Sequence, residues 1–296
     1  MLAVHGLRKS FGDHIALRDV TFDVPKGKMV GFVGSNGAGK TTTMRMIMGI
    51  LVPDAGEILF DGKPLTRAQR ARFGYMPEER GLYPKQSLEG QLAYLAELKG
   101  MSAKAALGSA REYLERFGLA ERRKDALESL SMGNQQRVQI IASIMSDPLC
   151  LVLDEPFSGL DPQAIRDMSE VLREVTLEGV PVLFSSHQLD MVDRLCDEMV
   201  ALSGGEVRAA GSLESLTVGR PLRYRVVAHG AEWLHAAKGV RVLSVEKSGE
   251  SATVDVEVNQ PVLAERILHE GVQRGSLQEF SRILPTLSEI YAEVVS

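Results

Sequence analysis

Gly34-Ser35-Asn36-Gly37-Ala38-Gly39-Lys40-Thr41 follows an apolar run and precedes a helix-like segment, in the pattern G-x-x-x-x-G-K-[ST]. Glycines carry no Cβ and tolerate positive φ, so successive backbone N–H groups of residues 34–39 can converge on phosphate oxygens. The following helix N-terminus adds its partial positive charge. Lys40 is placed to reach the β- and γ-phosphates of a nucleotide. The hydroxyl of Thr41, with Thr42 beside it, is placed to meet an accompanying Mg²⁺.

Four further segments could act on the same phosphates. Leu151-Val152-Leu153-Asp154-Glu155 reads as an apolar strand ending in two carboxylates. Asp154 can enter a Mg²⁺ shell and Glu155 can polarise an attacking water; a solvated acidic pair is the plainer alternative. Leu130-Ser131-Met132-Gly133-Asn134-Gln135-Gln136-Arg137 opens a helix, where Ser131, Gly133 and the helix N-terminus offer a second phosphate site. One chain hardly needs two sites for one γ-phosphate, which suggests a neighbour's nucleotide; a capped helix with no ligand is the plainer reading of this segment alone. Ser158-Gly159-Leu160-Asp161 follows the acidic pair closely. Phe184-Ser185-Ser186-His187 sets a histidine at a strand end, within reach of a γ-phosphate.

These residues need a scaffold that alternates strand and helix. Residues 20–24 alternate at period two up to Pro25, and residues 28–33 read as a buried strand. A helix follows from Gly39, with Met44, Ile47 and Met48 at helical spacing. Residues 88–144 are rich in Ala, Leu, Glu and Arg and nearly free of strand signals, as in a helical subdomain set into an α/β core. Residues 151–153 and 182–184 return as central strands.

Composition shifts near residues 211–221. Beyond it, residues 222–226 and 253–258 alternate as strands with one wet face, and helix-like segments, including 261–271, lie between and after them. The tail carries a capping-box pattern, Thr286 with Glu289, ahead of Ile290 and Tyr291. His229 and His235 are isolated and expected at the surface.

With 44% hydrophobic and 25% charged residues, the 296-residue chain has the composition of a globular protein able to bury a core. A net charge of −5 argues against a binder that neutralises nucleic-acid phosphates. No run approaches the roughly 20 apolar residues of a membrane span, and the opening residues are too short and mixed for a signal peptide. Cys150 and Cys196, both in apolar strings, are expected as buried thiols.

Taken together, the motifs resemble the ATP-binding cassette (ABC) family over about three quarters of the chain by position. The resemblance implies an α/β P-loop NTPase cassette at residues 1–217, with a mixed sheet core and a helical subdomain at about 88–146. A small α+β domain at 221–296 follows, for which a ferredoxin-like arrangement is one option. It assigns Walker A to residues 34–41, the signature loop to 130–135, Walker B to 151–154, the D-loop to 158–161 and the switch histidine to His187. Phe11 takes the place of an aromatic that stacks on adenine, although a core phenylalanine fits the residue alone equally well. Ser131, Gly133, Asn134, Gln135 and Asp161 are then expected at the nucleotide, Glu155, His187 and Glu78 at the chemistry, and Thr41, Asp154 and Glu78 at the metal.

The implied cofactors are ATP and Mg²⁺. The implied partners are a second cassette, head to tail and ATP-dependent, and a separately encoded membrane permease. The chain would then lie in the cytoplasm against the inner face of the membrane. Met132 and Asn134 depart from the usual signature, and Glu78 stands where glutamine is usual. With the ending at residues 285–291, these departures resemble the ATPase subunits of two-component bacterial exporters, including sodium- and drug-extruding systems. The alternative is a soluble cassette ATPase acting on ribosomes or DNA. A ribosome factor typically has two cassettes, and a repair ATPase a long coiled coil, for which no sustained heptads occur between Lys40 and Ser131.

Overall fold

The structure, a computed structural model, describes residues 1–79 and 81–295; Arg80, part of the loop that includes Glu78, lies outside the described residues. The chain divides into two compact units. One comprises residues 1–213 and 287–296, the other residues 214–286.

The first unit begins with β1 (Leu2–Phe11), β2 (His14–Val24) and β3 (Met29–Val33), then α1 (Lys40–Ile47). There follow β4 (Ala55–Phe60), β5 (Lys63–Pro64), α2 (Arg67–Ala71) and β6 (Gly74–Met76). The helical subdomain is α3 (Leu88–Leu98), α4 (Ala103–Arg116) and α5 (Met132–Ile144). Then come β7 (Leu151–Leu153), α6 (Pro162–Leu177), β8 (Val182–Ser186), α7 (Leu189–Leu195), β9 (Glu198–Ser203) and β10 (Glu206–Gly211).

All ten strands form one sheet in the order β5-β4-β1-β2-β10-β9-β3-β8-β7-β6. Its two halves differ in kind. β1 pairs antiparallel with β2 and β4, whereas β3, β6, β7, β8 and β9 pair in parallel. The parallel strands β3, β7 and β8 are buried at every residue, as strands covered on both faces must be. Phe22 and Phe32 join the halves of the core with ring centroids 5.1 Å apart.

The helices start where serine or aspartate can satisfy the first free amides. Ser87 accepts from Gly90 N–H, Ser102 from Ala105 N–H, and Asp161 from Gln163 and Ala164 N–H.

The second unit opens within α8 (Leu213–Thr217) and runs β11 (Leu222–His229), α9 (Trp233–Ala236), β12 (Val240–Ser248), β13 (Ser251–Val258), α10 (Pro261–Gln273) and β14 (Leu277–Ile283). Its antiparallel sheet has the order β12-β13-β11-β14. The β-α-β-β-α-β succession in that order is the ferredoxin-like arrangement. Val226, Val254, Val256 and Ile267 form its own core. β12 and β14 are strands that the sequence reading did not assign. In β12 a register shift between Val242 and Ser244 breaks the alternation that would have marked it as a strand.

One expected boundary differs. α11 (Leu287–Val295) belongs to the first unit, where it packs on α7, β9 and β10, not to the accessory domain. Leu287 and Ile290 are buried, so the tail is fixed by apolar contact after the chain has left the second unit. Ile290→Ala should therefore destabilise the first unit by about 2–4 kcal/mol, the usual cost of emptying a buried aliphatic site. Thermal unfolding followed by nucleotide protection checks this; an unshifted transition of the first unit contradicts the packing.

No helix among the described residues is long and apolar enough to cross a membrane. Cys150 is buried and Cys196 partly so, both as free thiols. Burial raises the pKa of each above the ordinary thiol value.

Candidate nucleotide site

The phosphate loop joins β3 to α1, and two of its glycines are required by space. A Cβ on Gly34 would lie 2.5 Å from the Leu202 carbonyl oxygen. Gly39 has φ +107°, and a Cβ there would lie 2.3 Å from Leu17 Cδ2. Lys40 opens α1 and is largely buried, its Nζ donating to the carbonyls of Gly34 (2.7 Å) and Ser35 (3.2 Å). Burial lowers its pKa, while Glu155, Asp154 and Glu78 oppose that shift. The lysine thus holds its own loop in shape and remains within the field of all three carboxylates.

A cleft of about 380 Å³ is lined by Phe11, His14, Ala16, residues 36–42, Glu78, Asp154 and Glu155. The structure therefore brings Phe11, Asn36, Gly37, Ala38, Gly39, Lys40, Thr41, Thr42 and the three carboxylates to one place. Phe11 is half exposed and not a core residue. It ends β1 opposite His14 in the β1–β2 hairpin, which puts both rings at the mouth of the cleft. Sequence reasoning missed His14; the tight turn between two alternating runs was the available signal.

Asp154 and Glu155 leave the C-terminal end of β7, where β8 supplies the group that holds them. Ser185 Oγ donates to Asp154 Oδ1 (2.6 Å) and accepts from the Glu155 N–H (2.8 Å). Asp154 is 1% exposed, and its Oδ2 is buried without a hydrogen-bond partner among the described residues. A buried carboxylate oxygen left open costs free energy unless something positive meets it.

Glu155 has φ +50°, a left-handed conformation that disfavours a non-glycine residue by roughly 1–2 kcal/mol. His187 Nδ1 lies 3.0 Å from its Oε2. Burial raises the Glu155 pKa, and the His187 hydrogen bond opposes the shift. Among the contacts described, the first partner of His187 is thus the carboxylate.

The residues of the signature loop divide. Ser131 caps α5, accepting from Asn134 N–H at 3.4 Å, and is exposed. Gln135, expected at a nucleotide, is instead buried with its Nε2 on the Leu130 carbonyl (3.0 Å), because position 135 faces the interior of α5. Asp161, likewise expected at a nucleotide, uses Oδ1 to accept two amides at the start of α6, which lowers its pKa. Ser131, Gly133, Asn134, Gln135 and Asp161 do not line the cleft around Lys40. Met132 does line an adjoining cavity of about 580 Å³ with Asn36, Glu78, Gln136, Glu155, Ser158 and His187.

The residues present suit Mg²⁺. That ion binds one or two protein carboxylates together with substrate phosphates in preference to a cage of protein ligands. Asp154 with its open Oδ2, beside Thr41 in a phosphate-binding cleft, matches this demand. No group of three or more His, Cys, Asp or Glu suited to a metal occurs among the described residues.

Residues 17–158 match the family described as ABC transporter. The whole chain is 35% identical to an uncharacterized ABC transporter ATP-binding protein, YhaQ of Bacillus subtilis, across 98% of that protein. Nod factor export ATP-binding protein I of Burkholderia lata is 37% identical over 71% of this chain and 70% of its own length. Linearmycin resistance ATP-binding protein LnrL of Bacillus subtilis is 33% identical over 73% and 70%. A solved ATP-binding subunit of an ABC transporter superposes with a TM-score of 0.68 at 35% identity, over 73% of this chain and 92% of that one. A dimeric bacterial ABC transporter cassette at 23% identity and TM-score 0.66 shares the fold. With 35% identity along its whole length to one such protein, the chain belongs to the ABC transporter ATP-binding proteins.

Proposed function

We propose that two copies of this chain hold ATP head to tail, hydrolyse it at Glu155, and drive export through a separately encoded membrane subunit. The supporting observation is that Ser131, Gly133 and Asn134 sit at the exposed start of α5 and do not line the cleft around Lys40. A second phosphate-binding helix end that its own cleft does not use fits the nucleotide of a second copy. The names of the Nod factor and linearmycin relatives favour the export direction.

Each residue then has a task. Loop amides of residues 34–39 and Lys40 hold the phosphates, and Phe11 offers a flat apolar face to the base. Asp154 and Thr41, with Glu78 nearby, would hold Mg²⁺. When bound, the ion would supply positive charge to offset that of the phosphates. Ser185 keeps Asp154 turned so that Oδ2 stays available. Glu155 accepts a proton from water, and burial, which raises its pKa, makes it a stronger base for that work. His187 fixes the Glu155 carboxylate, and its second ring nitrogen could meet the γ-phosphate. The ferredoxin-like unit, which carries none of these residues, serves regulation or dimer stability.

Ser131→Arg tests the shared site. The side chain is exposed, so the cost to the fold should be about 1 kcal/mol, from the lost cap. We expect ATP binding by the single chain to persist while hydrolysis falls at least tenfold. Hydrolysis at the wild-type rate would refute a site completed by the second copy.

Phe11→Ala should raise the KM for ATP about tenfold, the lower range of a lost aromatic–base stack, with little change in melting temperature because the ring is half exposed. Steady-state kinetics decide it; an unchanged KM removes Phe11 from the base site.

A further inference from the structure

Glu155 must keep a left-handed backbone to present its carboxylate, and side chains from two other elements maintain it. Ser185 on β8 accepts from its N–H. From the other side, Gln136 Nε2 donates to the Glu155 carbonyl (3.1 Å) and to the Pro156 carbonyl (3.0 Å). Both residues lie beyond the end of β7 at Leu153, and Glu155 has positive φ.

Gln136 lies on α5, five residues after Ser131, the residue that caps this helix. One continuous helix thus carries two things. Its first turn holds Ser131, Gly133 and Asn134. Its second turn holds the amide that fixes the backbone of this chain's own Glu155. Below Gln136 the helix is anchored by buried Val138, Ile140 and Ile141, so it can only shift as a packed body.

We infer that Gln136 is a positioning residue that ties the geometry of Glu155 to the docking of the signature loop on the second copy. The inference rests on the head-to-tail reading above. Seating Ser131 and Gly133 against a neighbour's phosphates displaces α5. The two hydrogen bonds from Gln136 carry that displacement to the Glu155 and Pro156 carbonyls. The carboxylate of one site then reports whether the other nucleotide is in place, which makes hydrolysis cooperative in ATP.

The test uses the full chain as wild type, Gln136→Ala and Gln136→Glu. The second variant keeps the side-chain size but replaces the donor with a carboxylate, so it addresses the inference if the alanine variant fails to fold. Loss of both hydrogen bonds should lower kcat about tenfold. Affinity for the fluorescent analogue trinitrophenyl-ATP should stay within about twofold, because Gln136 touches no residue of the phosphate loop in the contacts described. The Hill coefficient for ATP should fall from near 2 to near 1. In a Glu155→Gln background, Gln136→Ala should still form the ATP-driven dimer.

Wild-type kcat and Hill coefficient in a folded variant would overturn the inference. So would a wild-type Hill coefficient near 1, or weakened analogue binding in both variants, which would make Gln136 a nucleotide contact. A Glu155→Gln chain that stays monomeric with ATP would overturn the head-to-tail reading itself, and this inference with it.

Discussion

Glu155→Gln is expected to bind ATP with near wild-type affinity and to hydrolyse it about 10²–10⁴ times more slowly, the contribution of a positioned general base. The amide preserves the size of the side chain and can still hydrogen-bond His187, now 3.0 Å from the carboxylate. Its backbone bonds to Ser185 and Gln136 do not involve the carboxyl group and should persist. What disappears is the capacity to take a proton from water. The carboxylate is suited to that step because burial raises its pKa towards the working range, and the histidine opposes the shift. Single-turnover phosphate release with radiolabelled ATP measures the loss. A variant within threefold of wild type would assign the proton to another group.

Lys40→Ala is expected to abolish measurable hydrolysis and weaken ATP binding by about 10- to 100-fold, as loss of charge-assisted hydrogen bonds to phosphate should. Part of the effect precedes the nucleotide. The ammonium bridges the Gly34 and Ser35 carbonyls, so its removal unpins the loop as well as withdrawing a charge. Circular dichroism must first show an intact fold. Calorimetric titration with ATP then gives the affinity, and unchanged binding would remove Lys40 from the phosphate site.

How much of this was legible in the sequence depends on how far apart the cooperating residues lie. The phosphate loop and the acidic strand end are contiguous, and each carries its chemistry in its own spacing. Residues 34–41 and 151–155 therefore stood out, and the structure brings residues 36–41 of the first and Asp154 and Glu155 of the second to one cleft. Ser185 and Gln136 did not stand out. Their roles depend on the pairing of β7 with β8 and on the positive φ of Glu155, neither of which leaves a local pattern. Gln135 and Asp161 show the opposite limit: the sequence marks their segments but not what the side chains bond within this chain. Both belong to readable segments, but helical phase turns Gln135 inward and a capping bond occupies Asp161.

Phe11 was ambiguous by type, and only its place at the end of a hairpin resolved it as exposed. The accessory unit shows the same limit at larger scale. β13 alternates cleanly and was legible, whereas the register shift in β12 hid a strand. α11 follows the accessory unit in sequence but packs on the other one, because burial of Leu287 and Ile290 decides membership and proximity in sequence does not.

The central claim is that one nucleotide is held by two copies of the chain, with Lys40 on one side and the start of α5 on the other. Sedimentation equilibrium of full-length Glu155→Gln, with ATP and with ADP, tests it most directly. The account predicts a mass near twice the 32.3 kDa of the chain with ATP and a monomer with ADP. A chain that binds ATP yet remains at monomer mass, at concentrations well above its nucleotide dissociation constant, would contradict it.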